Sequence, residues 1–266
     1  MIILAFNKKK LLLIHNYVYI IKMKLEDFRN NPFVIKALKN PRSARSVLNY
    51  MCGSDTDDPS IRESLNTDAK VEPLINIWFA SGNSLDDLCQ PFVPIVRELK
   101  NIPPTLIGND WDSLEGKVAK VLLADQLSRS CFRGTLEAFS FDNIGLALTK
   151  ELIEDNNINE TLKMPAGILY LLPWSLAHSE NVEDLIQACD FIDMAIKSYP
   201  NFKLFEGRNK QAVNQHRQVL EKFGRYPQRN KELSRKSTYE ELAWLEDKDN
   251  LPIWAGGRLS FDKEIK

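Results

Sequence analysis

The chain has 266 residues, enough for one large domain or two small ones, and its 44% hydrophobic and 27% charged content is ordinary for a globular protein in water. A formal net charge of −1 supplies no global attraction to nucleic acid or to an anionic membrane. Four cysteines without a CxxC pair and three histidines argue against a zinc site, a redox motif or a histidine-rich metal site, so no cofactor or metal is expected and a reduced cytoplasmic compartment is the simplest reading.

Residues 1–24 form an apolar and basic N-terminal extension, with Lys8-Lys9-Lys10 ahead of an apolar run from Leu11 to Ile21. That run is too short to span a bilayer as a helix. No small-residue cleavage site follows it, and the Arg and Ser of a transit peptide are missing. The extension reads as disordered or as sequence ahead of an internal start at Met23, with organellar targeting as the remaining alternative.

Residues 25–70 read as a helical segment followed by an acidic loop. Asn31-Pro32 is an N-cap with proline at the first helical position, and Asn40-Pro41 closes the element. A second short helix runs from about Ser43 to Met51. The stretch 53–60, GSDTDDPS, is polar and proline-punctuated, and it lacks the ligand order of an EF-hand loop.

From residue 71 to 247 the pattern is helical throughout. A helix carrying Ile75, Ile77, Trp78 and Phe79 ends at Ser81-Gly82-Asn83. Leu85 to Leu99 is helical in pattern but split by Pro91 and Pro94. Lys117 to Phe132 is a strongly amphipathic helix on Val118, Val121 and Leu122. Asp125 lies on that same stripe, and Arg129 stands four residues further on, where an ion pair is natural. Asp142 is placed to cap the next helix, on Ile144, Ala147, Leu148 and Leu152.

Pro165 opens an apolar helix that Pro173-Trp174 interrupts, and His178-Ser179-Glu180 follows. Leu185, Ala188, Ile192 and Ala195 then mark a long helix. Val213, Leu220 and Phe223 mark another, with His216 on its apolar stripe and Arg217 flanking it. Gly224 is its C-cap and Pro227 bars continuation. Ser237 and Glu240 read as a capping box ahead of the last helix. The tail 248–266 is expected to be irregular. The sum is an all-α array of antiparallel helical hairpins in a single compact domain, with no strand and no visible internal repeat.

Four blocks of this sequence resemble the domain-of-unknown-function 924 family, over roughly residues 70–247. They are Trp78-Phe79, then Asp125-Gln126-x-x-Arg129-x-x-Phe132-Arg133-Gly134-Thr135 with Phe139 and Asp142, then His178-Ser179-Glu180, and finally His216-Arg217 through Phe223-Gly224-Arg225-Tyr226-Pro227-Gln228-Arg229-Asn230. The resemblance implies a TPR-like helical fold and no known activity. The chain departs from the family pattern in three places. Ser128 and Ser175 stand where proline is usual, and Gln228 stands where histidine is often found, which removes one proton carrier or ligand.

Burying a polar group without a partner costs roughly 1–3 kcal/mol or more, so the inward polar residues should meet one another. Ten are expected to converge: Asp125, Arg129, Arg133, His178, Glu180, His216, Arg217, Arg225, Arg229 and Asn230. Their arginine excess suits carboxylate or phosphate. The first reading is therefore a pocket for a small anionic or phosphorylated ligand, or an acidic peptide. A second is a hydrolase with His178 or His216 as general base, oriented by Glu180 or Asp125. A third is a structural ion network in a protein-interaction scaffold. Tryptophans 111, 174, 244 and 254 read as packing residues. No nucleic-acid partner and no stable membrane span are expected, and the sequence leaves the oligomeric state open.

Overall fold

The computed structural model describes residues 25–80 and 82–256, so the extension over 1–24 and the last part of the tail lie outside the described residues. Every regular element among the described residues is helical. No helix among them is long and apolar enough to cross a membrane.

The first elements form where the local signals place them. Helix α1 (Pro32–Lys39) starts at Asn31, whose side chain accepts from the backbone of Phe33 and Val34. Helix α2 (Ala44–Cys52) starts at Ser43 and stops at Gly53, in the left-handed region with φ 54°. Helix α3 (Asp68–Ala80) carries Trp78 into an aromatic cluster with Phe28 and Tyr50, with ring centroids 5.3–5.7 Å apart. Trp78 Nε1 donates to the Met51 carbonyl at 3.2 Å. Trp78 of the first sequence block thus packs against the core, while Phe79 is 39% exposed beside Trp174. The expected split between residues 85 and 99 is present, with a tight 3-10 turn at Gln90–Phe92 between two short helices.

The helix expected over 117–132 is not continuous. Helix α4 (Leu114–Leu122) opens into a wide π turn at Leu123–Leu127 and resumes as one α turn at Ser128–Cys131. The wider turn rotates the chain so that all five of its residues are buried, Asp125 and Gln126 included. A straight α helix would have turned part of that run to solvent. Helix α5 (Asp142–Ile153) crosses this turn closely at Gly145, where an added Cβ would sit 3.3 Å from the Ala124 Cβ and 3.7 Å from the Asp125 Cβ.

Helix α6 (Pro173–Ala177) is short and wholly buried. Pro173, read as an interruption, is its first-turn residue, where the missing N–H costs nothing. Helix α6 packs against α5, against α7 (Val182–Ser198) and against α8 (Gln211–Phe223). Helix α8 ends at Gly224, with φ 68°. The elbow 224–237 then leads to α9 (Tyr239–Glu246). The capping box of α9 is present but shifted by one residue. Thr238 and Glu241 form it, because Ser237 instead meets Asn230. One connected core runs from Phe28 to Val213, and a smaller one joins Leu185, Val219, Leu220 and Tyr226. Residues 25–64 therefore share a core with the stretch that carries the sequence blocks.

Two glycines give a contrasting test of the packing. A Cβ on Gly116 would fall 2.2 Å from the Asp110 carbonyl oxygen and 2.5 Å from the Trp111 carbonyl carbon. Gly116→Ala is expected to cost about 3 kcal/mol, since backbone rather than a flexible side chain must yield. Gly224→Ala meets nothing within 4 Å and is expected to cost about 1 kcal/mol through its positive φ. Urea denaturation of both variants checks this, and equal small losses would show that the 109–112 turn can move aside.

Candidate functional site

The site is built outward from Asp125, held in the π turn at 1% exposure. Its Oδ1 accepts from His178 Nδ1 at 2.6 Å and from Arg129 Nη2 at 3.2 Å. Its Oδ2 accepts from Gln126 Nε2 at 2.5 Å. Burial by itself would raise this carboxyl, but the neighbouring His178 and Arg129 and the hydrogen bonds that they and Gln126 donate outweigh it and hold it well below the usual carboxylate range. An ionised Asp125 fixes the His178 tautomer, with Nδ1–H donating and Nε2 left as a lone-pair acceptor.

His178 caps α6, whose end points it at Asp125. Burial, followed by the nearby Arg129, lowers its pKa against the pull of Asp125. His216 comes from the middle of α8 and is 3% exposed. Its Nδ1 donates to the Ala212 carbonyl at 2.7 Å, so its Nε2 is also an acceptor. Burial and then His178 push it down to about 3. The two imidazole rings are 5.9 Å apart, and Trp254 stacks on His216 at 3.7 Å. Neither Nε2 has a hydrogen-bond partner among the described residues.

Two arginines join this pair from different elements. Arg129 Nη2 also donates to Asp142 Oδ1 at 3.0 Å. Arg229, in the elbow, donates through Nη1 to the His178 carbonyl at 2.9 Å and to Asp142 Oδ2 at 3.4 Å. Asp142 thus bridges both guanidiniums instead of capping α5, whose N-cap is Phe141. Both guanidiniums lie against the Phe139 ring, with centroid distances of 5.4 and 5.1 Å. Burial, then Arg129, lowers Arg229 to about 10. It remains a cation at neutral pH.

Arg129, Phe139, His178, His216 and Arg229 line a cleft of about 280 Å³ with Arg133, Gly134, Ala138, Gln228, Glu232 and Trp254, and Asp125 and Asp142 hold the lining groups from behind. Arg133 sits at its edge, tied to Asp86 at 2.7 Å. A larger groove of about 510 Å³ between α8 and the tail has no buried ionisable group in its wall. Among the described residues no cluster of three or more His, Cys, Asp or Glu is arranged to hold a metal.

Six of the ten expected residues therefore meet here: Asp125, Arg129, Arg133, His178, His216 and Arg229. The other four do not. Glu180 turns away from His178 and accepts from Arg235 and from the Tyr226 backbone N–H. Arg225 is held by both oxygens of Glu241, and Asn230 donates to Glu241 and Ser237. These three brace the elbow that carries Arg229. Arg217 is exposed, paired with Glu221 one turn on in α8, because a position flanking the stripe faces out on this helix. The arginine excess is also smaller than the ten residues suggest, since Asp142 and Asp86 supply the missing negative charge. Asp142 was visible as part of the second block, but as a helix cap. Phe139 was visible in the same block without a role, and Trp254 was read as packing.

The departures from the family pattern are absorbed locally. Ser128 Oγ donates to the Ala124 carbonyl at 2.6 Å, and Ser175 Oγ to Thr149 Oγ1 at 2.6 Å. Gln228 remains on the cleft wall, where its Oε1 is buried without a donor.

A family model described as "Bacterial protein of unknown function (DUF924)" matches residues 66–249. The solved structure of a protein of unknown function, ATU0120 from Agrobacterium tumefaciens, is similar at 25% identity and a TM-score of 0.50, covering 64% of this chain and 88% of that one. No curated protein matches.

The elbow brace makes a pH prediction. Glu241 is depressed to about 2, first by its hydrogen bonds to Arg225 and then, against burial, by the Thr238 backbone N–H. A depressed carboxylate adds stability above its unfolded value of about 4.3, and that stability is lost as pH falls through the folded value. The melting temperature is expected to fall between about pH 4.3 and 2, and Glu241→Gln to flatten that part of the curve while lowering stability at pH 7. An unchanged acid limb in the variant would place the loss elsewhere.

Proposed function

The chain belongs to the family of bacterial proteins of unknown function designated domain-of-unknown-function 924, and we propose that it binds a small oxyanion, a carboxylate or phosphate group, in the cleft between Arg129 and Arg229. One observation carries the reading. Each of these guanidiniums is anchored through a single terminal nitrogen and keeps another, Arg129 Nη1 and Arg229 Nη2, with no acceptor among the described residues. A purely structural network would commit these donors and seal them. Here both arginines stand on the wall of a cleft large enough for a small metabolite. Asp142 sets the forks, and Phe139 lies under both planes. Paired guanidiniums give an oxyanion charge-assisted hydrogen bonds in a partly dry site, where they are strongest.

A second reading, hydrolysis with a histidine base, is favoured by the 2.6 Å contact of Asp125 with His178. That contact orients the ring and leaves Nε2 to take a proton from water attacking an acyl or phosphoryl centre held by the arginines. The proton then returns to the leaving group. His178 is the base in this reading. His216, at about 3, is too weak a base, and Glu180 is spent on Arg235 and the Tyr226 backbone.

The test is a calorimetric titration of the full-length chain with phosphate and with dicarboxylates, beside Arg129→Gln and Arg229→Lys. Binding is expected in the parent and about tenfold to a hundredfold weaker in each variant, the range for a charge-assisted bond. Circular dichroism separates lost binding from lost folding. Retained affinity in two folded variants would refute the reading.

A further inference from the structure

We infer that the ligand of this cleft carries a hydrogen-bond donor, a hydroxyl or an ammonium group, a few bonds away from the oxyanion that the arginines hold. The inference rests on the oxyanion reading above and adds the chemical class of the ligand. It follows from which atoms of the wall remain uncommitted.

Both imidazoles have given away the same nitrogen. His178 Nδ1 is bound to Asp125 and His216 Nδ1 to the Ala212 carbonyl, a carbonyl that only a donor can meet. What each ring offers a ligand is Nε2, and in a neutral ring that atom only accepts. His216 is 97% buried under the stacked Trp254, so a proton on it would be an unpaired buried charge. Glu232 adds a carboxylate to the wall, and the buried Gln228 Oε1 is a further acceptor with no donor. The wall of the cleft therefore carries acceptors as well as N–H donors. A ligand that is oxyanion on every side would satisfy the arginines and press its lone pairs against two imidazole nitrogens.

The spacing makes the donor a near neighbour of the oxyanion. Arg129 and His178 share one oxygen of Asp125, at 3.2 and 2.6 Å, so the guanidinium and the imidazole are neighbours on the cleft wall. A hydroxyl or ammonium on the carbon next to a carboxylate, or one carbon further, spans such a gap. The same holds for a hydroxyl near a phosphate ester.

An anion without a donor has one way to fit, which is to bring a proton onto His178. The groups that face this ring are Asp125 and Arg129 from the turn after α4, Arg229 from the elbow and His216 from α8. Asp125, in contact at 2.6 Å, favours that proton, and Glu232 is the other carboxylate on the cleft wall. Binding of such an anion is thus coupled to proton uptake and weakens as pH rises above the imidazole range. A ligand that supplies its own donor has no such coupling.

The experiment titrates the full-length protein with matched probes between pH 6 and 8.5. Malate carries a hydroxyl, aspartate an ammonium, and succinate neither; glycerol phosphate and propyl phosphate form a second pair. The donor-bearing member is expected to bind at least about tenfold tighter at pH 7.5, with little pH dependence. Succinate and propyl phosphate are expected to weaken toward about tenfold per pH unit at the alkaline end. Malate ahead of aspartate assigns a hydroxyl, and the reverse an ammonium. In His178→Leu, which removes the Nε2 acceptor and puts no donor in its place, the gap within each pair is expected to narrow, with circular dichroism checking that the variant is folded. Equal affinity and equal pH dependence within both pairs would overturn the donor inference and leave the oxyanion reading standing. No binding by any probe would overturn both.

Discussion

The site depends on one ionised carboxylate held out of water. Asp125 sits in the dry interior because three donors from three side chains converge on it. Remove those donors and burial would drive the carboxyl neutral. Keep them and its charge decides the tautomer of His178, the position of Arg129 and, through Asp142, the seat of Arg229. The helix on which Asp125 lies is distorted to put it there. The π turn widens the backbone by one residue, and Gly145 lets α5 close over the result. Such a distortion and such a buried charge both cost stability, and the contacts around them are what offset it.

The arginines divide into two kinds by what surrounds them. Arg225 and Arg235 are bound at both ends of their forks to single glutamates, and they tie the elbow 224–237 to α9 and to the end of α6. Their work is to hold backbone. Arg129 and Arg229 share one carboxylate and retain unspent nitrogens at a cleft. The first group makes the second possible, because Arg229 has a fixed direction only while the elbow is rigid. Glu180 belongs with the first group, although its sequence block pairs it with His178.

Much of the fold was legible in residue pattern. The cap at Asn31, the proline split near residue 91 and the stop at Gly224 are local signals, and each element obeys them. The capping box of α9 shows the limit of such signals. Ser237 and Thr238 are both competent caps, and the contact with Asn230 selects between them. The site was legible as a set of inward polar residues on helical stripes, with His216 and Asp125 placed correctly in the interior. Arg217 was misplaced because one residue of helical phase separates a buried from an exposed side chain.

By itself the sequence determined that the chain is helical, where most helices begin and end, and that several charged residues must be buried together. Those follow from periodicity, capping and the cost of unpaired polar groups, which act within a few residues of chain. Only the tertiary structure decided which charges meet. Asp142 joins Arg129 and Arg229 across gaps of 13 and 87 residues, His178 finds Asp125 across 53, and Trp254 closes over His216 from the tail. No local rule reaches so far, because partners at that separation are chosen by how whole helices pack.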